Sequence, residues 1–450
     1  MKLLVIKSAV ESKWGSCRVI SPNLHQVYTK LGTDYDVSWF ELPEDIMKAE
    51  LKYNVSCIAA LVDKIATLNP DRLVFVDHLP PPPLVLAYLS MQINLKKLPP
   101  IIFHLYGDFT YFSKEWLYFS EVMQGHEVTF ITASVSQQKL VEEFLVVKKI
   151  EPISNIEKLC FPVNSSEYFF NVDERNIFRK EMKISENDFV ILYSGRISLQ
   201  KNVDVLLREF LKLKSTSRKI HLWVVGAFDD VGADFLGYES YPGYMFSKFQ
   251  SLLDDANPEQ RSRINLFGLK DKNELRKIKA GADFFTSFSL YHDEDYGMSP
   301  AEALATGIKC ILTDWGGYSS FANKDKWQCD LLSVEIGEFG HELVVEDFHS
   351  VISEVSNVKD EELDRQKRAL AFMDEFSIDA NVKKLKDILR KSPEKFEGFN
   401  WKLDQFANAL NQNWSKSKFN KFLSPKIHSY YFTIYKNYIS KLIQENSHEN

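Results

Sequence analysis

The chain of 450 residues exceeds one ordinary hydrophobic core and predicts two domains of α/β size. With 45% hydrophobic residues, 26% charged residues and a net charge of −7, it is composed like a soluble globular protein, and nothing global invites nucleic acid. Five scattered cysteines (Cys17, Cys57, Cys160, Cys310, Cys329) form no CxxC pair, which argues against a zinc site or a disulfide framework and for a reducing compartment.

No run of eighteen apolar residues is present, and MKLLVIKSA has too short an apolar core for a signal peptide. A cytoplasmic protein is expected. In chain order, KLLVIKS (2–8), DRLVFVDH (71–78), IIFHLYG (101–107) and EVTFITAS (127–134) read as buried parallel strands with polar C-terminal ends. Pro80 to Pro83 cannot continue a sheet and predict a stiff loop. SQQKLVEEFL predicts a helix from about Ser136. Periodicity lapses over Phe161 to Phe170, where a domain seam is expected, giving domains 1–165 and 166–390 and an extension 391–450.

The second half restarts the same grammar. FVILYSG (strand) and NVDVLLREFLKL (helix) come first, then the strands KIHLWVVGA and RINLFGL. KNELRKIKAGA (helix), DFFTSFS (strand), PAEALATG (helix) and IKCILTD (strand) follow. Such alternation implies parallel sheets with crossover helices. Asp229 to Gln260 reads as an aromatic-rich excursion. Lys391 to Asn450 holds nine lysines against five acids, with many aromatics.

SGRISLQKN (194–202) follows a strand and opens an amphipathic helix, where open α/β sheets bind ligands. Gly195 permits a sharp turn and close approach. Arg196 offers a planar fork of donors, Lys201 a compact charge, and the helix its N-terminal amides, together an anion site of diphosphate size. The same residues could equally be solvated loop charges. In HDEDYGMSPAEALATG (292–307), Ser299 reads as an N-cap, Pro300 as the first helical residue and Glu302 as the third. That capping box would give Glu302 a structural role, and Glu294 would lie in the preceding loop. The amides from Tyr296 to Met298 could also cradle ligand hydroxyls. Asp34-Tyr35-Asp36 and Asp293-Glu294-Asp295 match D-x-D, a spacing common by chance, and no metal is expected.

Strand, SGR-x4-K, helix, WVVG, FGL and then E-x7-E with YGMSPAEALATG together resemble glycosyltransferase family 4, most closely over Val190 to Phe321. The resemblance implies the GT-B fold, two Rossmann-like domains facing across a cleft with a C-terminal helical extension. It implies that Arg196 and Lys201 hold a donor diphosphate, that Glu302 binds the ribose and that Glu294 lies near the transferred sugar. Gly195 and the stretch Tyr296, Gly297 and Met298 would complete the donor contacts. His104, at a strand end, resembles the histidine that reaches the donor from the first domain. Gly15, preceded by Trp14, stands where the family carries a richer glycine loop. Asp108 and His78 match no firm motif.

The activity implied is transfer of a hexosyl group from a nucleotide-diphosphate sugar, uridine preferred, to a hydroxyl of a glycan or glycolipid acceptor, with retention of configuration and without cofactor or metal. A phosphorylase of the same fold and a catalytically silent sugar-nucleotide or glycan-binding subunit are the alternatives. No nucleic-acid partner is expected. The C-terminal extension is open to three readings: packing back on the first domain, resting on anionic lipid at the inner face of a membrane, or contacting a partner protein.

Overall fold

The structure, a computed structural model, describes residues 1–8, 15–42, 55–76, 86–87, 89, 91, 98–107, 109–110, 112–146, 156–213, 217–230, 241–292, 294–337, 340–414 and 434–440. The chain divides into two compact units. The first comprises Met1–Pro162 and Ile378–Gln412, the second Val163–Ser377 and Asn413–Asn450.

Six strands build the first sheet: β1 (Lys2–Ser8), β2 (Asp36–Leu42), β3 (Arg72–Phe75), β4 (Ile101–His104), β5 (Val128–Thr132) and β6 (Ile156–Lys158). They lie in the order β2-β1-β3-β4-β5-β6, and every pairing is parallel. The second sheet holds β7 (Phe189–Ser194), β8 (Ile220–Val225), β9 (Ile264–Gly268), β10 (Phe284–Ser287), β11 (Lys309–Thr313) and β12 (Cys329–Leu332), again all parallel. Its order, β12-β11-β10-β7-β8-β9, is that of a doubly wound sheet whose winding reverses between β7 and β10. A hairpin of β13 (Val334–Gly337) and β14 (Gly340–Leu343) follows.

The apolar runs read from the sequence are the central strands. Ile191, Leu222, Val224 and Ile311 are fully or almost fully buried in the second core, as Leu3, Val5, Val74 and Ile102 are in the first. β2, β6 and β12 were not evident, β2 because DVSWFEL interleaves polar residues and is only partly buried. The helix Val135–Glu142 is capped by Ser134, whose side chain accepts from the Gln137 amide, two residues before the expected start.

The expected boundary at 390 differs from the unit division. Helix Ile378–Arg390 places Ile378, Val382, Leu385, Ile388 and Leu389 in the first core, an apolar stripe at helical spacing. The chain then stays with the first unit to Gln412, and residues from Asn413 belong to the second. The extension is therefore shared between the units. The proline run Pro80–Pro83, His78, Asp108 and Asp293 lie outside the described residues.

Candidate functional site

The site is assembled where the second sheet changes direction. Open α/β sheets bind ligands in the crevice at such a reversal, here at the C-terminal ends of the adjacent strands β7 and β10. The β7 loop begins with Gly195 at φ +154°, and the Tyr193 hydroxyl donates to the Arg196 carbonyl at 2.6 Å, fixing the turn. On the neighbouring strand end, a Cβ on Gly226 would fall inside the Gly195 carbonyl oxygen, so this approach requires glycine. A 3₁₀ turn (Leu199–Lys201) leads into Asn202, left-handed at φ 50°, and the helix Val203–Lys212.

Four contacts join this loop to the one after β10. Asn202 Nδ2 donates to the Phe288 carbonyl at 2.9 Å, and the Leu290 amide to the Gln200 carbonyl at 3.2 Å. Ser194 and Ser299 share a short hydroxyl hydrogen bond, and Lys201 forms an ion pair with Glu294. The structure thus brings Arg196, Lys201 and Glu294 together. Arg196 donates to Asp229 at 3.0 Å and to Gln200 at 3.3 Å. Glu294 also accepts from Ser289 Oγ at 2.6 Å, and its carbonyl accepts from the Gly317 amide at 2.6 Å.

Two residues here were not foreseen, although both lie beside the E-x7-E segment. The Tyr291 ring lies beneath both cations, with its centroid 5.3 Å from Lys201 Nζ and 5.9 Å from the Arg196 guanidinium carbon. His292 is buried, and its pKa falls well below the usual imidazole value, first through desolvation and then through repulsion by Arg196 and Lys201. A neutral imidazole beside two cations can donate or accept a hydrogen bond without adding charge.

The capping box is corrected. The helix runs from Met298 to Ala305 with Gly297, at φ +100°, as its N-cap and with no side-chain cap. A Cβ on Gly297 would collide with the Tyr318 ring, so the chain turns here, ahead of Ser299. Ser299 falls within the first turn and spends its hydroxyl on Ser194. Glu302 does not cap either. Its carboxylate is ion-paired with Lys279, which has no exposed side-chain surface, and is hydrogen-bonded to Tyr168. Burial lowers the Lys279 pKa, and the Glu302 charge opposes that shift. Tyr296 is fully buried against Phe321, ring centroids 4.9 Å apart, and Met298 is buried.

His104 and Gly15 belong to the first unit. Gly15 opens the helix Gly15–Thr29 after β1. His104 ends β4, buried, with Nε2 2.7 Å from the Tyr28 hydroxyl, and burial lowers its pKa to about 3. Asp34 precedes β2 and Asp36 is its first residue, and the Asp34 carbonyl accepts from the chain's amino terminus at 2.9 Å.

Residues 174–333 match the sequence model of a family described as glycosyl transferases group 1. The lipopolysaccharide 1,2-N-acetylglucosaminetransferase of Salmonella typhimurium is 29% identical over 143 residues, 32% of this chain and 35% of that protein. An uncharacterized glycosyltransferase of Methanocaldococcus jannaschii is 22% identical over 170 residues, 37% of this chain and 38% of that protein. The chain therefore spans less than two-fifths of the length of these curated relatives. Among solved structures, Anabaena HepE in complex with UDP is similar at a TM-score of 0.60 and 13% identity, covering 86% of this chain and 99% of that one. A glycosyltransferase from Rickettsia africae gives 0.58 and 16%, covering 87% and 99%. The fold is GT-B, and the stretch that matches the group 1 family contains the whole β7/β10 crevice.

Proposed function

We propose that the chain is a glycosyltransferase that moves a hexosyl group from a nucleotide-diphosphate sugar to a hydroxyl of a glycan or glycolipid. The observation that carries this reading is the Lys201–Glu294 ion pair spanning the β7/β10 crevice with Arg196 beside it. Breaking the sugar–phosphate bond develops negative charge on the departing diphosphate. Two fixed cations and the amide end of the helix Val203–Lys212 stabilise that charge most at the transition state. Arg196 and Lys201 would share their bonds to Asp229 and Glu294 with the entering diphosphate, so the loops stay anchored with or without donor.

Glu294 already accepts from Lys201 and Ser289, and a carboxylate has further lone pairs for sugar hydroxyls. That suits positioning of the sugar better than attack on it. Retention of configuration is proposed accordingly, as the resemblance implies. The ribose role of Glu302 would require its carboxylate to serve Lys279, Tyr168 and the nucleotide together. Uridine is the proposed base, supported by the similar Anabaena protein solved with UDP. A lipopolysaccharide-like acceptor, reached at a membrane's inner face, is supported by the Salmonella relative's name. Among the described residues no helix is long and apolar enough to cross a membrane.

Calorimetric titration with UDP, GDP and ADP, without added metal, tests the donor site. UDP is expected to bind, and an Arg196→Ala, Lys201→Ala double variant to lose at least about 100-fold, each charge-assisted contact being worth roughly 1.5–3 kcal/mol. Equal binding by wild type and variant would overturn the diphosphate assignment.

A further inference from the structure

The described residues of 288–297 carry no helix or strand, so the position of Glu294 and Tyr291 depends on what packs against them. Their support is the segment after β11. Trp315 Nε1 donates to the Tyr291 carbonyl at 2.7 Å, and the Gly317 amide donates to the Glu294 carbonyl. Gly316, at φ +57°, lies between the Glu294 carbonyl and the Tyr438 ring, and a Cβ there would meet both.

Tyr438 belongs to a part of the chain 122 positions away (438 − 316). The segment 434–440 returns to the second unit and seats four buried apolar or aromatic side chains, Ile434, Tyr435, Tyr438 and Ile439. Tyr435 stacks on Trp315 at 6.1 Å between centroids, and Tyr438 meets the same indole edge-on at 5.3 Å. The Ser440 amide closes the contact on Asp314 Oδ1 at 3.0 Å. From Tyr438 the line of contacts runs through Trp315 to Tyr291, whose ring lies beneath Lys201 and Arg196.

We infer that the C-terminal segment 434–440 is a clamp for the loop 288–297, and that Tyr438 is a positioning residue that sets donor affinity through Trp315 and Gly316. The clamp holds Glu294 from the backbone side while Lys201 and Ser289 hold its carboxylate. A loop fixed before the donor arrives loses less freedom on binding, so the clamp strengthens binding by preorganisation. This inference rests on the donor-site reading above.

The test uses the full chain with Tyr438→Ala, Tyr438→Leu and Tyr438→Phe. Amide hydrogen exchange is read over 288–297 without ligand, UDP affinity by calorimetry and global stability by thermal unfolding. Tyr438→Ala is expected to speed exchange over 288–297 and weaken UDP about 10-fold, with exchange in β7, β8 and β9 unchanged. Tyr438→Phe keeps the ring on Trp315 and should stay closer to wild type than either other variant. Tyr438→Leu keeps most of the volume but loses the edge-on ring contact, should fold if the alanine variant does not, and should weaken UDP between the two. A lowered melting temperature with exchange over 288–297 and UDP affinity both unchanged would overturn the clamp alone. Wild type that binds none of UDP, GDP and ADP overturns the donor reading, and the clamp's role with it.

Discussion

The two units share a parallel-sheet plan and differ in where they place charge. In the first, the described ion pairs lie outside: Lys30–Asp379 has side chains 51% and 74% exposed, and Lys391–Glu157 and Lys402–Glu143 are also accessible. At the C-terminal end of its central strand β4 the buried polar contact is the neutral His104–Tyr28 pair. The second unit has exposed pairs too, such as Lys326–Glu375, but it also buries ions. Lys279–Glu302 is 0% and 6% exposed, Arg179–Asp283 is 6% on both sides, and Lys201–Glu294 is 16% and 7%. Desolvating charges is costly, so burying several in one unit marks where fixed charge is needed. Two of the three pairs involve the carboxylates of E-x7-E.

The comparison is broken most severely by removing one buried partner. Lys279→Met leaves the Glu302 carboxylate uncompensated in the interior, and a loss of about 3–5 kcal/mol is expected in denaturant unfolding. Adding Glu302→Leu should restore most of the loss, since an apolar pair of similar volume no longer strands a charge. No restoration would mean that Lys279 acts by packing. Next in size is Gly226→Ala, which drives a methyl into the Gly195 carbonyl and strains a positive-φ residue. About 3 kcal/mol is expected, with weakened UDP binding because the Arg196 turn must move.

What was legible follows the same division. Five of the six strands of the second sheet were readable as apolar runs, β12 being missed, and Arg196, Lys201 and Glu294 could be placed because each lies at a fixed step from a strand end or a glycine. The partner of Glu302 was not, since Lys279 meets it through a tertiary contact 23 residues away. A signal existed: Lys279 is on the stripe of Leu275 and Ile278, where a lysine implies a buried acid. Gly297 ended the capping-box reading because its turn depends on Tyr318, invisible to local pattern. In the first unit, Tyr28 and His104 are 76 residues apart and uncharged, so no spacing announces them. The aromatics of the tail were visible, but their seat on Trp315 was not.

Two histidines sharpen the comparison. His104, with its pKa lowered by burial to about 3, stays neutral in the fold while the unfolded chain takes up its proton near 6.5. The unfolded state therefore binds more protons between those values, and stability rises with pH across that window. The contribution is complete above pH 6.5 and lost as pH falls toward 3, with about 2 kcal/mol gone by pH 5. His104→Gln should lose about 2 kcal/mol less than wild type between pH 7 and pH 5 in urea unfolding. His292 is lowered by Arg196 and Lys201 as well as by burial. Imidazole titration by NMR should show its pKa rising in the Arg196→Ala, Lys201→Ala variant while that of His104 stays put.

The smallest expected effect tests the exposed side. Lys30, just past the helix Gly15–Thr29, meets Asp379 on the helix Ile378–Arg390 at 2.9 Å, and this pair bridges two chain segments far apart in sequence. Its position suggests a staple, but its exposure argues otherwise, because water and salt screen the attraction and two long side chains must be held still. Lys30→Ala should cost under about 1 kcal/mol, and less in 0.5 M salt. The helix is held instead by Ile378, Val382, Leu385 and Leu389 in the first core. Leu385→Ala, which leaves a cavity, should exceed the lysine variant severalfold in the same unfolding measurement. If the two cost the same, the exposed pairs of the first unit would carry weight that their accessibility denies them.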